Sequence, residues 1–234
     1  MHDLRSDLDT LWRAAGRLTV AKGGRGIMFM SAHSGEGTSS VAASFALMAA
    51  DKCRRAAWLV DLDLHENPQY EAFKRGDIAG LGKPSRPYDA SLGTRPFYDI
   101  IEARRGERRG GEENAKLLAA HQIKGTRLLV TRFRNEQVAH GGKIHLSTRS
   151  EWWAALRRGA DWIIVDAPAA ERSGAGLAMA SQMDGVIIVV QADKTRPEAV
   201  TNLVEEVEAY GGQTLGVVMN RTRADTRFID QLAG

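Results

Sequence analysis

Two rhythms of hydrophobic and polar positions run along this chain. Short stretches are apolar at consecutive positions: Ile27 to Met30, Ala56 to Val60, Trp162 to Val165, Gly185 to Val190, and Leu215 to Met219 ending on Asn220. Such runs suit strands buried on both faces. Other segments carry their apolar residues three and four apart. One follows Thr38, Ser39 and Ser40 and spaces Val41, Phe45, Leu47 and Met48 as a helix does, as far as Asp51. A second runs through Gly176 to Met183, and a third is opened by Pro197 and continues to about Tyr210, proline being favoured at the first helical position. Strands of Val, Ile and Leu that alternate with helices predict an α/β fold of three layers, α/β/α, around a mostly parallel central sheet.

The remaining segments are less regular. Leu4, Leu8, Leu11 and Trp12 form one apolar stripe and predict a short N-terminal helix, within residues 1–20, that packs on the body or on a partner subunit. Arg127 to Phe133 reads as a strand, and Ser150 to Gly159 as a helix that buries Trp152, Trp153 and Leu156. Residues 71–126 are broken by Gly76, Gly80, Gly82, Pro84, Pro87, Gly93 and Pro96 and predict a variable insertion, with helical spacing over 112–124. A single domain over 1–234 accommodates all of this.

Composition narrows the class. At 43% hydrophobic and 26% charged, the 234 residues have the make-up of a soluble globular protein. Lys and Arg exceed Asp and Glu by only 32 to 29, so charge alone implies no specific nucleic-acid partner. The single cysteine, Cys53, leaves no internal disulfide and no cysteine metal cluster, and fits a reducing compartment. No run is long enough to span a membrane, and the start MHDLRSDLDTLWRAAG is too charged for a secretion signal, so a cytoplasmic protein is expected. The run EARRGERRGG over 102–111 could meet phosphates, but it lacks interleaved aromatics and is interrupted by Glu107, which favours a solvated loop.

Candidate chemistry sits first between Met30 and Thr38, where Ser34, Gly35, Glu36 and Gly37 stand. Strand, glycine turn and helix is the order that a phosphate-binding loop requires, because successive backbone N–H groups and the helix N-terminus together face one anion. The usual pattern is G-x-x-x-x-G-K-[ST], and Thr38 occupies the lysine position. That lysine reaches the β- and γ-phosphates. A hydrogen bond to a charged group contributes about 1.5–3 kcal/mol, and each 1.4 kcal/mol is about tenfold in affinity, so nucleotide binding is expected to survive in weakened form. Loss of a preorganised donor costs about 10²- to 10³-fold in rate, so hydrolysis or transfer is expected to be feeble. A plain strand-to-helix turn would have the same composition. Upstream, Lys22 to Gly26 is glycine-rich but precedes a strand, so it reads as a lead-in from which Lys22 or Arg25 could supply a cation.

Three strand ends add carboxylates. Asp61 and Asp63 flank one leucine, and a period of two puts both on one face at the edge where open α/β sheets bind ligands. Like charges so placed want a cation such as magnesium; a turn cap beside a solvated side chain is the plainer alternative. Asp166 ends the strand before Pro168, and a parallel sheet would gather Ser39, Asp61, Asp63, Asp166 and Asn220 along one edge. The histidines lack ligand spacing, and neither a Ser-His-Asp order nor a G-x-S-x-G elbow is present.

With these motifs in view, SAHSGEGTSSVAASFA, WLVDLDLHENP and DWIIVDAP resemble the deviant P-loop (MinD/ParA-like) ATPases. They most resemble the bacterial tyrosine kinase domains of polysaccharide export, the CpsD/CapB type, whose motifs read S-x-x-P-G-E-G-K-S, D-x-D followed by R-x-P, and D-x-P-P. MDGVIIVVQADKTRPEAV and LGVVMNR resemble later strands of that family, so the likeness covers residues 26–66 and 160–222. It implies ATP or ADP with Mg2+ as ligand. Gly35, Glu36, Gly37, Thr38, Ser39 and Ser40 would surround the phosphates, with Ser39 on the metal. Asp61 and Asp63 would be the catalytic carboxylates that position the metal and the attacking group; Asp166 would hold the metal through water, and Asn220 with Arg221 would lie near the base.

The chain departs from that family at Thr38 for lysine, Ser34 for proline and His65-Glu66 for a basic pair. It has no tyrosine cluster in ADTRFIDQLAG and no E-x-x-R-x-x-R pattern near its start, so self-phosphorylation on a tail and assembly into a ring are not expected. The resemblance then implies a pseudokinase or weak ATPase, cytoplasmic or held at the inner membrane through a partner. That partner would be a polysaccharide copolymerase, a chain-length protein of exopolysaccharide, capsule or holdfast-type adhesin export; a homodimer is compatible with this. The rivals are a MinD/ParA-like partitioning or positioning ATPase, an active autokinase completed in trans with Tyr70, Tyr88, Tyr98 or Tyr210 as acceptor, and a scaffold with a vestigial site.

Overall fold

The consecutive apolar runs become the central strands. The computed structural model describes residues 3–18, 20, 23–77, 81–101 and 114–221. Lys22, the arginine-rich run over 102–111 and the stretch 224–234 lie outside the described residues. The strands are β1 (Arg25–Met30), β2 (Ala57–Asp61), β3 (Pro84–Asp89), β4 (Tyr98–Ile101), β5 (Leu118–Ile123), β6 (Leu128–Phe133), β7 (Lys143–Leu146), β8 (Trp162–Asp166), β9 (Gly185–Gln191) and β10 (Thr214–Asn220). The helices are α1 (Asp9–Gly16), α2 (Thr38–Lys52), α3 (Pro68–Arg75), α4 (Glu151–Gly159), α5 (Ala175–Met179) and α6 (Pro197–Ala209).

Eight strands form one sheet in the order β10-β9-β1-β8-β2-β6-β5-β3; β4 and β7 pair separately. The sheet is parallel from β10 to β6 and antiparallel across β6–β5 and β5–β3. Alternate residues of each central strand enter two different cores. Ile27, Phe29, Leu59 and Ile164 pack with α2, Leu8 and Phe73, whereas Met28, Met30, Val60 and Val165 pack with Leu156, Met179, Leu203 and Val207. The three expected layers are therefore α1, α2 and α3, then the sheet, then α4, α5 and α6.

Three segments differ from the sequence reading. The helical spacing over 112–124 gives way to β5, because Leu118 to His121 and Ile123 are buried between β6 and β3, and pairing on both sides overrides the local helical preference of Leu, Ala and Gln. The N-terminal stripe is split into a 3-10 turn (Arg5–Asp7) and α1, and it packs on the body: Trp12 lies 4.6 Å from Trp162 and 5.6 Å from Phe45, ring to ring. The helix expected from Gly176 to Met183 is α5 followed by a 3-10 turn (Ala180–Gln182).

Candidate functional site

Strand register decides what meets at the C-terminal edge of the sheet. Asp166 of β8 stands opposite Phe29 of β1 on one side and Asp61 of β2 on the other. The chain leaves β1 at Met30 and turns through Gly35 and Gly37, at φ of 84° and 92°, values that side chains reach only with strain. A Cβ on Gly37 would stand 2.0 Å from Asn220 Nδ2, whereas one on Gly35 would meet nothing within 4 Å. Gly37 is thus favoured by its φ, and a side chain there would also push the Asn220 amide off the Glu36 carbonyl, whereas Gly35 leaves clear space above the loop. No acceptor among the described residues takes the amides of 35–39, so they are available to an anion.

A cavity of ≈ 230 Å³ lies over this loop, bordered by Gly35, Thr38, Ser39, Ser40, Asp61, Asp63 and Asp166. The predicted residues from three strand ends are therefore brought together. Thr38, at the lysine position, is 7% exposed, and its Oγ1 has no hydrogen-bond partner among the described residues.

The carboxylates differ in what they are free to do. Asp61 is 2% exposed; its Oδ1 accepts from the Asp63 amide and its Oδ2 from the Gln69 amide, both at 2.9 Å. With both oxygens engaged by backbone, it shapes the turn between β2 and α3. Asp166 is equally buried. Its Oδ2 accepts from Gln69 Nε2 at 2.6 Å, but Oδ1 has no partner among the described residues. Asp63 accepts from the Glu66 amide at 3.1 Å on Oδ1, and its Oδ2 lies 3.8 Å from the Arg172 guanidinium.

Burial first, and the neighbouring Asp166 second, push Asp61 well above the usual carboxylate range. Burial also pushes Asp166 up, against hydrogen bonds from Gln69 and Ser39 that favour its ionised form. Such a pair is relieved by a proton or a divalent cation. Among the described residues no group of three His, Cys, Asp or Glu side chains is arranged around a metal. The all-oxygen donors present, the Asp166 carboxylate and the Ser39 hydroxyl hydrogen-bonded to it, fit magnesium, which keeps waters and takes one or two protein ligands beside phosphates.

Two predicted ligands serve the loop itself. The Glu36 carboxylate turns inward: Oε2 accepts from the His33 amide at 3.0 Å and Oε1 from the Thr195 hydroxyl. Asn220 Nδ2 donates to the Glu36 carbonyl at 2.9 Å, which ties β10 to the loop, while Arg221 borders the cavity. Arg25 does not supply the absent cation. It begins β1, about 17 Å of strand from the loop, donates to the Gly16 carbonyl at 3.2 Å and stacks over Trp162.

Sequence reasoning passed over Gln69, Glu171 and Arg172. Gln69 is fully buried; its Nε2 also donates to the Ser39 carbonyl at 3.0 Å, so its side chain links α2 to β8 while its backbone amide holds Asp61 at the end of β2. The only cue was its place after Asn67-Pro68, a proline helix start. Glu171 accepts from the Ser34 amide at 2.6 Å and contacts His33 Nδ1 at 2.9 Å, clasping the loop to the segment after Asp166. The Ser34 amide, chiefly, and the His33 side chain hold its carboxyl down at about 2. Arg172 is the basic residue that follows D-A-P-A-A-E, and its proximity to that motif was the available signal.

No family model and no curated protein matches this chain. Solved structures do. The VpsO kinase domain aligns at TM-score 0.57 and 18% identity, covering 94% of this chain and 96% of that one. The kinase domain of the Escherichia coli tyrosine kinase ETK aligns at 0.56 and 16%, covering 94% and 75%, and the Aquifex aeolicus MinC:MinD cell division protein complex at 0.54 and 16%, covering 88% and 72%. Identity this low speaks for fold alone: the chain has the three-layer α/β/α P-loop NTPase fold of these structures.

Proposed function

We propose that this chain is a kinase-like, nucleotide-binding regulatory module that holds Mg-ADP or Mg-ATP and transfers phosphate weakly or not at all. One observation carries the reading: Gly35, Gly37, Thr38 and Ser39, whose amides find no acceptor among the described residues, border one cavity with Asp63 and Asp166, and the buried Thr38 Oγ1 and Asp166 Oδ1 have no hydrogen-bond partner among those residues. In this reading the amides of 35–39 cradle the phosphates, Ser39 and Asp166 hold magnesium, and Asp63 faces the attacking group. Asp61 fixes the turn that carries Asp63, and Arg221 lies on the side of the base. Magnesium, when bound, neutralises charge on the phosphate chain. Thr38 leaves the transition state without the usual lysine, which is why transfer is weak.

The motif resemblance favours a setting in exopolysaccharide, capsule or holdfast-type adhesin export, with an inner-membrane copolymerase or chain-length protein as partner and a homodimer as an allowed state. Of the tyrosines weighed as acceptors, Tyr98 is fully buried and donates to the Asn114 carbonyl at 2.7 Å, which argues against it. Similarity to MinD supports a second reading, a positioning ATPase, and a salt-sensitive gel shift of nonspecific DNA would favour it.

The test combines turnover with binding. With labelled ATP and Mg2+ the natural chain should turn over barely above background, and Thr38→Lys should raise the rate about 10²- to 10³-fold. Absence of any calorimetric heat with millimolar Mg-ADP or Mg-ATP, in a folded sample of both proteins, would remove nucleotide binding from the account.

A further inference from the structure

Of the described residues that line the cavity, only Arg172 and Arg221 are cationic, against Asp61, Asp63, Glu66 and Asp166. An anionic phosphate chain entering such a cavity meets a surplus of carboxylates, and the loop lysine that would offset them is Thr38. Arg172 is placed differently from Arg221. It lies six residues beyond Asp166, on the segment that Glu171 clasps to the loop through Ser34 and His33. Its guanidinium sits beside Asp63 at 3.8 Å, longer than a charge-assisted hydrogen bond, and its side chain is 54% exposed, so this pairing holds it loosely. Arg172 also borders a neighbouring cavity of ≈ 270 Å³ that Asp63, Glu66 and Pro168 share, so it stands at the partition between the two.

We propose that Arg172 replaces, in cis, the phosphate-binding cation that the loop lacks: its guanidinium shifts from Asp63 onto the outer phosphates of a bound nucleoside di- or triphosphate. The proposal rests on the nucleotide reading given above. Arginine suits the task because its planar fork engages two phosphate oxygens at once and stays charged at any working pH. The shift would also release Asp63 Oδ2 toward the bound ligand. Arg172 therefore couples ligand binding to the freedom of the most accessible of the motif aspartates. The clasp through Glu171 keeps the segment against the loop, so the positive group arrives with little ordering left to do.

A double-mutant cycle in Mg-ADP affinity, measured by calorimetry on the full chain, tests this. Arg172→Ala should weaken binding about 10- to 100-fold, the effect expected of a charged hydrogen-bonded contact, and Arg172→Lys should recover part of the loss. In a Thr38→Lys background, where a lysine occupies the same role, Arg172→Ala should cost several-fold less. Equal losses in the two backgrounds would overturn the substitution, as would an unchanged affinity of Arg172→Ala in the natural background. If the natural chain binds no Mg-ADP while Thr38→Lys binds it, the phosphate cradle stands and Arg172 does not replace the lysine. If neither binds while both remain folded by circular dichroism, the nucleotide reading and the proposal fall together.

Discussion

At the scale of single residues, the site is held together by groups whose importance depends on where the chain brings them. Gln69 is the clearest. It offers its backbone amide to Asp61 and its side-chain amide to Asp166 and the Ser39 carbonyl, and its place after the proline helix start marks the helix but not the burial of this side chain. Gln69→Leu removes a donor from a buried carboxylate, and thermal denaturation should show a loss of about 1–3 kcal/mol; an unchanged midpoint would mean that Asp166 is satisfied some other way. Glu171 gives a pH signature. The Ser34 amide holds its carboxyl down at about 2, below its ordinary value of 4.5, so the folded state binds the proton less readily than the unfolded chain does. Its stabilising effect is complete above about 4.5 and is lost as pH falls toward 2. Glu171→Gln should therefore be less stable than the natural chain at pH 7, and the difference should disappear in acid; a difference independent of pH would contradict the clasp. Asp61, Asp63 and Asp166 were legible because a motif ends each strand, whereas their separate roles were not, since those depend on which oxygens the backbone occupies.

Elements that bury both faces announce themselves in sequence, and those that bury themselves through one another do not. β1, β2, β8 and β9 are unbroken apolar runs, and α2 carries Ala42, Ala43, Ala46 and Ala49 with no exposure at all. That helix lies against the sheet on one side and beneath α1 and the 3-10 turn on the other, so alanine is kept for want of room. Ala46→Leu should destabilise by about 1–3 kcal/mol in urea titration, and a neutral effect would show the helix to be less tightly enclosed. β3 was hidden because Pro84 and Pro87 weaken a strand signal and are tolerated only at an edge, where β3 in fact lies. β5 was hidden because its local preference is helical, and it is overridden only by pairing with β6 across a four-residue turn and with the more distant β3. β7 has only four residues, too few for an alternation to be read.

For the whole molecule, the topology explains why one cavity gathers these motifs. β8 is inserted between β1 and β2, so the loop after β1, the aspartates after β2 and Asp166 open onto a single crevice at the strand ends, the usual ligand position in such sheets. This convergence was legible from the order of strands and helices; the inward turn of Glu36, the hold of Asn220 on the loop and the arrival of Arg172 were not, because each depends on a loop conformation. The central claim is that the amides ahead of Val41 receive a nucleotide's phosphates. Amide-resolved NMR of the natural chain titrated with Mg-ADP tests it most directly. The account predicts that Gly35, Gly37, Thr38 and Ser39 show the largest shifts, with the Gln69 side-chain amide next. Shifts absent from those residues at millimolar nucleotide, or concentrated on another face of a folded protein, would contradict it.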